Sequence, residues 1–350
     1  MRVDISISLP PGIDALQKHE QLFDALITSL AKIEEELGQA LSYADDLAQA
    51  TTRHLLEAGG KRVRPIVAVL SSMLADENVS SGQVSEPSSD IRKAAVSMEL
   101  THLATLYHDD VMDEADQRRG VTAAHQQWSN SIAILAGDLI FARASMELTD
   151  LGARAVKEHS RTFEKLVMGQ LWETMGPKAT DDPLDHYLRV IDGKTASLLS
   201  TSALLGALLA NGTEEIIQTA AAYGANVGMA FQLADDIIDV TSTSETSGKV
   251  RGTDLKERVP TLPILLLRQE AADGDQEAKR VLELVDGPLD TEEQVDAAVT
   301  AVANHSVIDT AWKMTTQWSD QAIAALNGLI DSPVKTALIE FAQYVVSRDA

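Results

Sequence analysis

The sequence predicts an all-α protein, a helical bundle formed as one large domain, and three features carry that prediction. Apolar residues recur at intervals of three and four along nearly the whole chain, the period of one helix face. No run alternates apolar and polar residues between turn signals, and no internal repeat stands out. No Pro/Gly-rich linker divides the 350 residues, and at 45% hydrophobic the chain has ample material for a core.

Taken in order, residues 15–40 place Leu22, Ala25, Leu26, Leu30 and Ile33 on one stripe. The pattern resumes over 44–58 and stops at Gly59-Gly60, an inter-helix turn. A helix is expected over 64–75, and 76–89 (DENVSSGQVSEPSS) reads as a loop. The apolar run 89–113 ends in aspartates, 114–129 reads as a second loop, and helices follow over 130–150 and 153–175. Asp182-Pro183 marks a helix start, since Asp accepts first-turn N–H groups and Pro suits the first helical position. That helix covers 184–210; its apolar stretch Leu198–Ala210 is too short to span a bilayer. In the next helix, 213–240, Gly224 and Gly228 suit close packing. A third loop covers 241–258, and helices over 259–272, 290–303, 308–329 and 332–347 complete the chain without a chemical motif.

Composition narrows the function. With 53 acidic and 29 basic residues the net charge is −24, which repels phosphate backbones and argues against nucleic-acid binding. Cysteine is absent, so disulfides and zinc–thiolate sites are excluded and a cytoplasmic setting is expected. The N-terminal stretch MRVDISISLPPGID has no sustained apolar core, and no signal peptide is expected.

Three segments match D-D-x-x-D: Asp109–Asp113, Asp181–Asp185 and Asp235–Asp239. The middle one sits where a helix starts and reads as a cap. In the other two, residues i and i+4 lie on one face, so Asp109 projects with Asp113 and Asp235 with Asp239. Like charges at the C-terminal end of an apolar helix are unfavourable without a cation. Oxygen ligands without His or Cys favour Mg²⁺ over zinc, although a solvated acidic face remains the alternative for each cluster. The loops after both clusters are candidate lids. The scarce cations gather nearby: Lys61, Arg62 and Arg64; Arg118 and Arg119; and Lys249, Arg251, Lys256 and Arg258. Cations beside metal-binding carboxylates suit a polyphosphate ligand. His102 lies two turns before Asp109 and Gln232 one turn before Asp235, each on the acidic stripe; His108 has no assigned role.

The ordered segments GGKRVRP (59–65), HLATLYHDDVMDEADQRRG (102–120), GKT (193–195), FQLADDIID (231–239) and GKVRGTDL…TLP (248–263) resemble the trans-isoprenyl diphosphate synthases, most closely bacterial medium- and long-chain members. The resemblance covers about residues 50–265 and leaves 266–350 as helical scaffold. It implies a bundle around a deep central cavity, usually a homodimer. The implied reaction is Mg²⁺-dependent: an allylic diphosphate ionises, isopentenyl diphosphate attacks the cation, and a proton is lost. Asp109, Asp113 and Asp235 match metal ligands, with Asp110, Asp236 and Asp239 supporting them. Lys61, Arg64, His102 and Arg119 match the isopentenyl diphosphate pocket, and Arg118, Lys194 and Lys249 the allylic site. Thr195 and Gln232 match polar groups beside the developing cation. One departure stands out: where short-chain members often carry a second Lys before the Thr-x-Pro ending, this chain has Val259, so either Lys256 or Arg258 substitutes or this branch works without that Lys.

Short-chain members place a bulky aromatic four or five residues before the first motif, as a floor beneath the growing tail. Here those positions are Thr105 and Ala104, with Thr101 a turn below. A product beyond C15, in the range C30–C50, is expected. Geranylgeranyl diphosphate (C20) is the alternative product. A class I terpene cyclase fits less well, because the second motif is Asp-rich and aromatics are only 4% of the chain. A non-catalytic partner subunit is disfavoured by the six motif aspartates. Stable docking on anionic lipid is not expected of so acidic a protein, though transient membrane contact at product release is.

Overall fold

The structure is a computed structural model that describes residues 13–82, 84–242 and 251–347. Lys249 therefore lies outside the described residues. The chain divides into two compact units that interleave in sequence: one takes 1–163, 198–224 and 325–341, the other 164–197, 225–324 and 342–350.

The first unit contains α1 (Glu20–Ala40), α2 (Asp46–Glu57), α3 (Val63–Met73) and α4 (Ser89–Met112). α4 buries Ile91, Val96, Met98 and Leu103, which point to different sides, so it is a central helix and not a surface one. α6 (Asn130–Glu147) packs along it through Gly137, where a β-carbon would meet the His108 ring at 2.4 Å. His108 is thereby assigned: its Nε2 pairs with the Ile134 carbonyl at 3.1 Å and its ring tilts against Phe141, holding α4 to α6. Tyr107 is fully buried and ties α4 to α2, donating its hydroxyl to the Thr51 carbonyl at 2.5 Å.

The segment 114–129, expected to be an irregular lid, is instead an antiparallel hairpin, β1 (Gln117–Arg118) with β2 (Val121–Thr122), and a short α5 (Ala124–Gln127). Arg119 (φ 54°) and Gly120 (φ 77°) form its two-residue left-handed turn, whose twist matches the flanking strands. His54 holds the hairpin down through the Thr122 carbonyl at 2.7 Å.

α7 (Ala153–Met175) continues from the first unit into the second. α8 (Pro183–Ile191) starts where the sequence indicates, with Asp182 accepting the Asp185 N–H at 2.9 Å. The helix expected over 184–210 is not uninterrupted: a π-turn at 192–196 separates α8 from α9 (Ser197–Leu209), and the Ser197 N–H bonds five residues back to Asp192. α10 (Glu214–Thr241) follows. Gly224 meets the expectation of close packing, since a β-carbon there would lie 2.6 Å from the Leu199 carbonyl.

The second unit is completed by α11 (Thr253–Lys256), α12 (Leu262–Ala272), α13 (Gln276–Val285), α14 (Glu292–Ala303) and α15 (Val307–Ala325). Leu233, Ile237, Leu262, Leu267, Val281 and Val299 are part of its core. α13 is missing from the sequence expectation, and α16 (Pro333–Ser347) closes the chain. No helix among the described residues is long and apolar enough to cross a membrane.

Candidate active site

In the first unit, α4 carries its aspartates to the point where it leaves the core. Asp109 is half-buried and Asp113, the C-cap, is exposed one turn on. Asp110 is fully buried, and Arg118 donates to its Oδ1 at 2.6 Å. Burial pushes the Asp110 carboxyl up, against the opposing pull of Arg118. Its Oδ2 is buried with no hydrogen-bond partner.

The strained hairpin turn aims its two arginines differently. Arg118 reaches back to α4, while Arg119 donates through Nη1 to the Leu55 carbonyl at 2.9 Å and to the Gly59 carbonyl. A left-handed Arg costs about 1–2 kcal/mol, and such strain gathers at working sites. Arg64 is half-buried; burial lowers its guanidinium to about 10, Arg119 adds to the shift and Glu99 opposes it. His102 is held well below its ordinary value, first by burial and then by the charges of Arg64, Arg119, Arg118 and Arg62, so its imidazole is neutral. The expected isopentenyl diphosphate residues Arg64, His102 and Arg119 are thus brought together; Lys61 is exposed on the same turn.

In the second unit the polar groups form a chain. Thr195 donates its hydroxyl to Gln232 Oε1 at 3.0 Å, and Gln232 donates Nε2 to Asp236 Oδ1 at 2.9 Å. Asp236 also accepts from the Tyr187 hydroxyl. Burial pushes the Asp236 carboxyl up to about 8, against the two hydrogen bonds it accepts. Asp235 and Asp239 are half-buried one turn apart. Asp239 accepts the Thr253 and Asp254 N–H groups at 3.3 Å each, fixing the return of the chain at α11. Lys194 donates to Glu173 at 2.5 Å from within the π-turn. The turn fits because Gly193 and Gly169 meet backbone to backbone: a β-carbon on Gly169 would lie 2.9 Å from the Lys194 nitrogen.

The donor sets fit a divalent cation. They offer hard carboxylate oxygens without sulfur, and they include a buried oxygen lacking a partner and a carboxyl pushed up to about 8 by burial and the nearby Asp254 and Asp235 carboxylates. Of the candidates for the missing Lys, Arg258 donates to the Val285 and Gly287 carbonyls at 2.8 and 2.6 Å, capping α13, while Lys256 is exposed.

Of the chain-length positions, Ala104 is fully buried and Thr105 half-buried, its hydroxyl bonded to the His102 carbonyl. Thr101 is buried and pairs with His159 Nε2 at 2.9 Å. Sequence reasoning did not identify Tyr187, Glu173 or the buried Glu99. Glu99 had a signal, an acidic residue inside an apolar helix run three positions before His102. Tyr187 had none, because its partner is 49 residues away.

Comparison with known proteins adds a family-level result. A family model described as polyprenyl synthetase matches residues 45–302. A nonaprenyl diphosphate synthase from Mycobacterium tuberculosis is 38% identical over 93% of each chain. A solved geranylgeranyl pyrophosphate synthase from Corynebacterium glutamicum, complexed with calcium and isoprenyl diphosphate, superposes with a TM-score of 0.81 at 39% identity, covering 93% of this chain and 97% of its own. A solved polyprenyl synthase from Caulobacter crescentus, also with calcium and isoprenyl diphosphate, gives 0.82 at 30% identity, covering 95% and 98%.

Proposed function

This chain belongs to the polyprenyl synthetase family, and from that premise we propose a Mg²⁺-dependent prenyltransferase that extends an allylic diphosphate with isopentenyl diphosphate to a linear trans product of C30–C50. The observation that carries the reading is the cluster of Arg64, His102 and Arg119. Cations withdrawn from water beside a neutral imidazole are compensated by a multivalent anion.

In this reading Lys61, Arg64, His102 and Arg119 bind isopentenyl diphosphate, and Arg118, Lys194 and Lys249 the allylic diphosphate. Asp109, Asp113 and Asp235 would hold Mg²⁺, with Asp110, Asp236 and Asp239 behind them. Bound Mg²⁺ supplies charge neutralisation for the departing pyrophosphate. The allylic C–O bond breaks with its electron pair leaving on pyrophosphate, the isopentenyl double bond supplies the pair for the new C–C bond, and pyrophosphate takes the proton. Gln232, clamped by Asp236 and Thr195, cannot rotate, so its dipole is preset beside the developing charge.

Small residues at Ala104 and Thr105 and the likeness to a nonaprenyl synthase support the long product. C20 is the second reading, favoured by the Corynebacterium relative. The two interleaved units are taken as parts of one synthase domain. A homodimer is supported by exposed apolar residues along α6 (Leu135, Leu139, Met146) and α7 (Phe163, Val167, Leu171).

Incubation with farnesyl diphosphate, labelled isopentenyl diphosphate and MgCl₂, followed by chain-length chromatography, tests the activity. A ladder ending between C30 and C50 is expected. An end at C20 selects the second reading, and no incorporation from any allylic primer sinks both.

A further inference from the structure

Arg62 stands immediately before α3, where a residue with a side-chain acceptor normally satisfies the first free N–H groups. It has no acceptor, and its backbone lies in the left-handed region at φ 49°. Its side chain turns inward. Nε and Nη2 donate to the two carboxylate oxygens of Glu34 at 2.8 and 2.7 Å, Nη1 to Glu99 at 3.1 Å, and Nη2 to the Leu56 carbonyl at 3.4 Å. Arg62 and Glu99 are 6% and 2% exposed.

Interior ion clusters are poor stabilisers compared with apolar packing of the same volume, so stability alone does not account for this one. Its location does. The turn it grips carries Lys61 on one side of Arg62 and Arg64 on the other. Glu99 lies three residues before His102 on the same face of α4, and its charge acts on Arg64 and Arg119 as well as on Arg62. The guanidiniums of Arg62 and Arg119 both abut Gly60, 2.9 and 3.1 Å from where a β-carbon would stand.

We infer that Glu34, Arg62 and Glu99 are positioning residues that lock the 59–64 turn in the form in which Lys61 and Arg64 receive the diphosphate of isopentenyl diphosphate. Glu99 also holds three guanidiniums side by side before that anion arrives. The inference rests on the assignment of Lys61, Arg64, His102 and Arg119 to isopentenyl diphosphate.

Steady-state kinetics of Glu34→Gln and Arg62→Lys, with Arg64→Ala as reference, test it, and thermal melting confirms that each variant is folded. Losing one charge-assisted hydrogen bond should raise KM for isopentenyl diphosphate about five- to tenfold, while kcat and KM for farnesyl diphosphate stay within about twofold. Glu34→Asp, which keeps the charge, should recover part of the loss. The inference is overturned if Arg64→Ala raises that KM and the Glu34 and Arg62 variants do not, or if their kcat and both KM values move together. Should Arg64→Ala itself leave KM for isopentenyl diphosphate unchanged, the pocket assignment fails and takes the inference with it.

Discussion

Asp236 shows how one enclosed carboxyl couples pH and folding. Its value of about 8, raised by burial, stands against an ordinary carboxylate value near ~3.9 in the unfolded chain. Between these values the folded protein binds a proton that the unfolded chain does not. Stability from this group is therefore full below about pH 4 and is lost as pH rises towards 8. On the proposed assignment of Asp236 behind Mg²⁺, cation binding would displace that proton, and apparent Mg²⁺ affinity should then rise from pH 6.5 to 8 and level off. Calorimetric Mg²⁺ titrations in buffers of different ionisation enthalpy should show proton release at pH 7 that Asp236→Asn abolishes. The proposed control of product length also lies with single residues. Thr105→Phe, at a half-buried position, should shift products to shorter chains in the chromatographic assay. Ala104→Phe, fully enclosed, should additionally cost about 1–3 kcal/mol through overpacking, read as a lower melting temperature. The paired aspartates could be read from spacing because i and i+4 share a face whatever the tertiary structure. Tyr187 and Glu34 could not, since their roles depend on partners 49 and 28 residues away.

Among the elements, legibility followed length and apolar content. α4 and α10 repeat the helical signal over 24 and 28 residues, and their extents match the expectation to within a residue or so. α13 was missed although Ala278, Val281, Leu282 and Val285 keep the three-and-four spacing, because ten residues hold only one repeat of it between charged positions. Its start is nonetheless written locally, in Asp275 accepting the Glu277 and Ala278 N–H groups. Strands of two residues lie below any alternation signal, so the hairpin was invisible. The close crossing at Gly169 and Gly193 makes its own prediction. A methyl at Gly169 meets backbone, which cannot swing aside, so Gly169→Ala should destabilise by about 1–3 kcal/mol. Chemical denaturation measures the cost, and displacement of Lys194 should raise KM for the allylic substrate.

Over the whole molecule, the charge of −24 and the anionic substrates are reconciled by placement. Guanidiniums collect around His102, while aspartates mark the ends of two helices, where the proposed cation would reverse the local sign. The apolar faces of α6 and α7 gather several of the exposed large apolar residues and underlie the proposed self-association. Light scattering should give a dimer mass for the native chain and a monomer for Leu135→Glu/Leu139→Glu. A dimer mass in that variant would remove α6 from the interface. The π-turn at 192–196 bears on how this chain can change over generations. It holds one residue more than a regular helix needs. Excising any one of the five would restore uniform winding, and circular dichroism would register no loss of helix. The excision would also turn Lys194 or Thr195 by about 100° relative to the preceding helix, away from Glu173 and Gln232. Here the number of residues, more than their identity, sets where these side chains point.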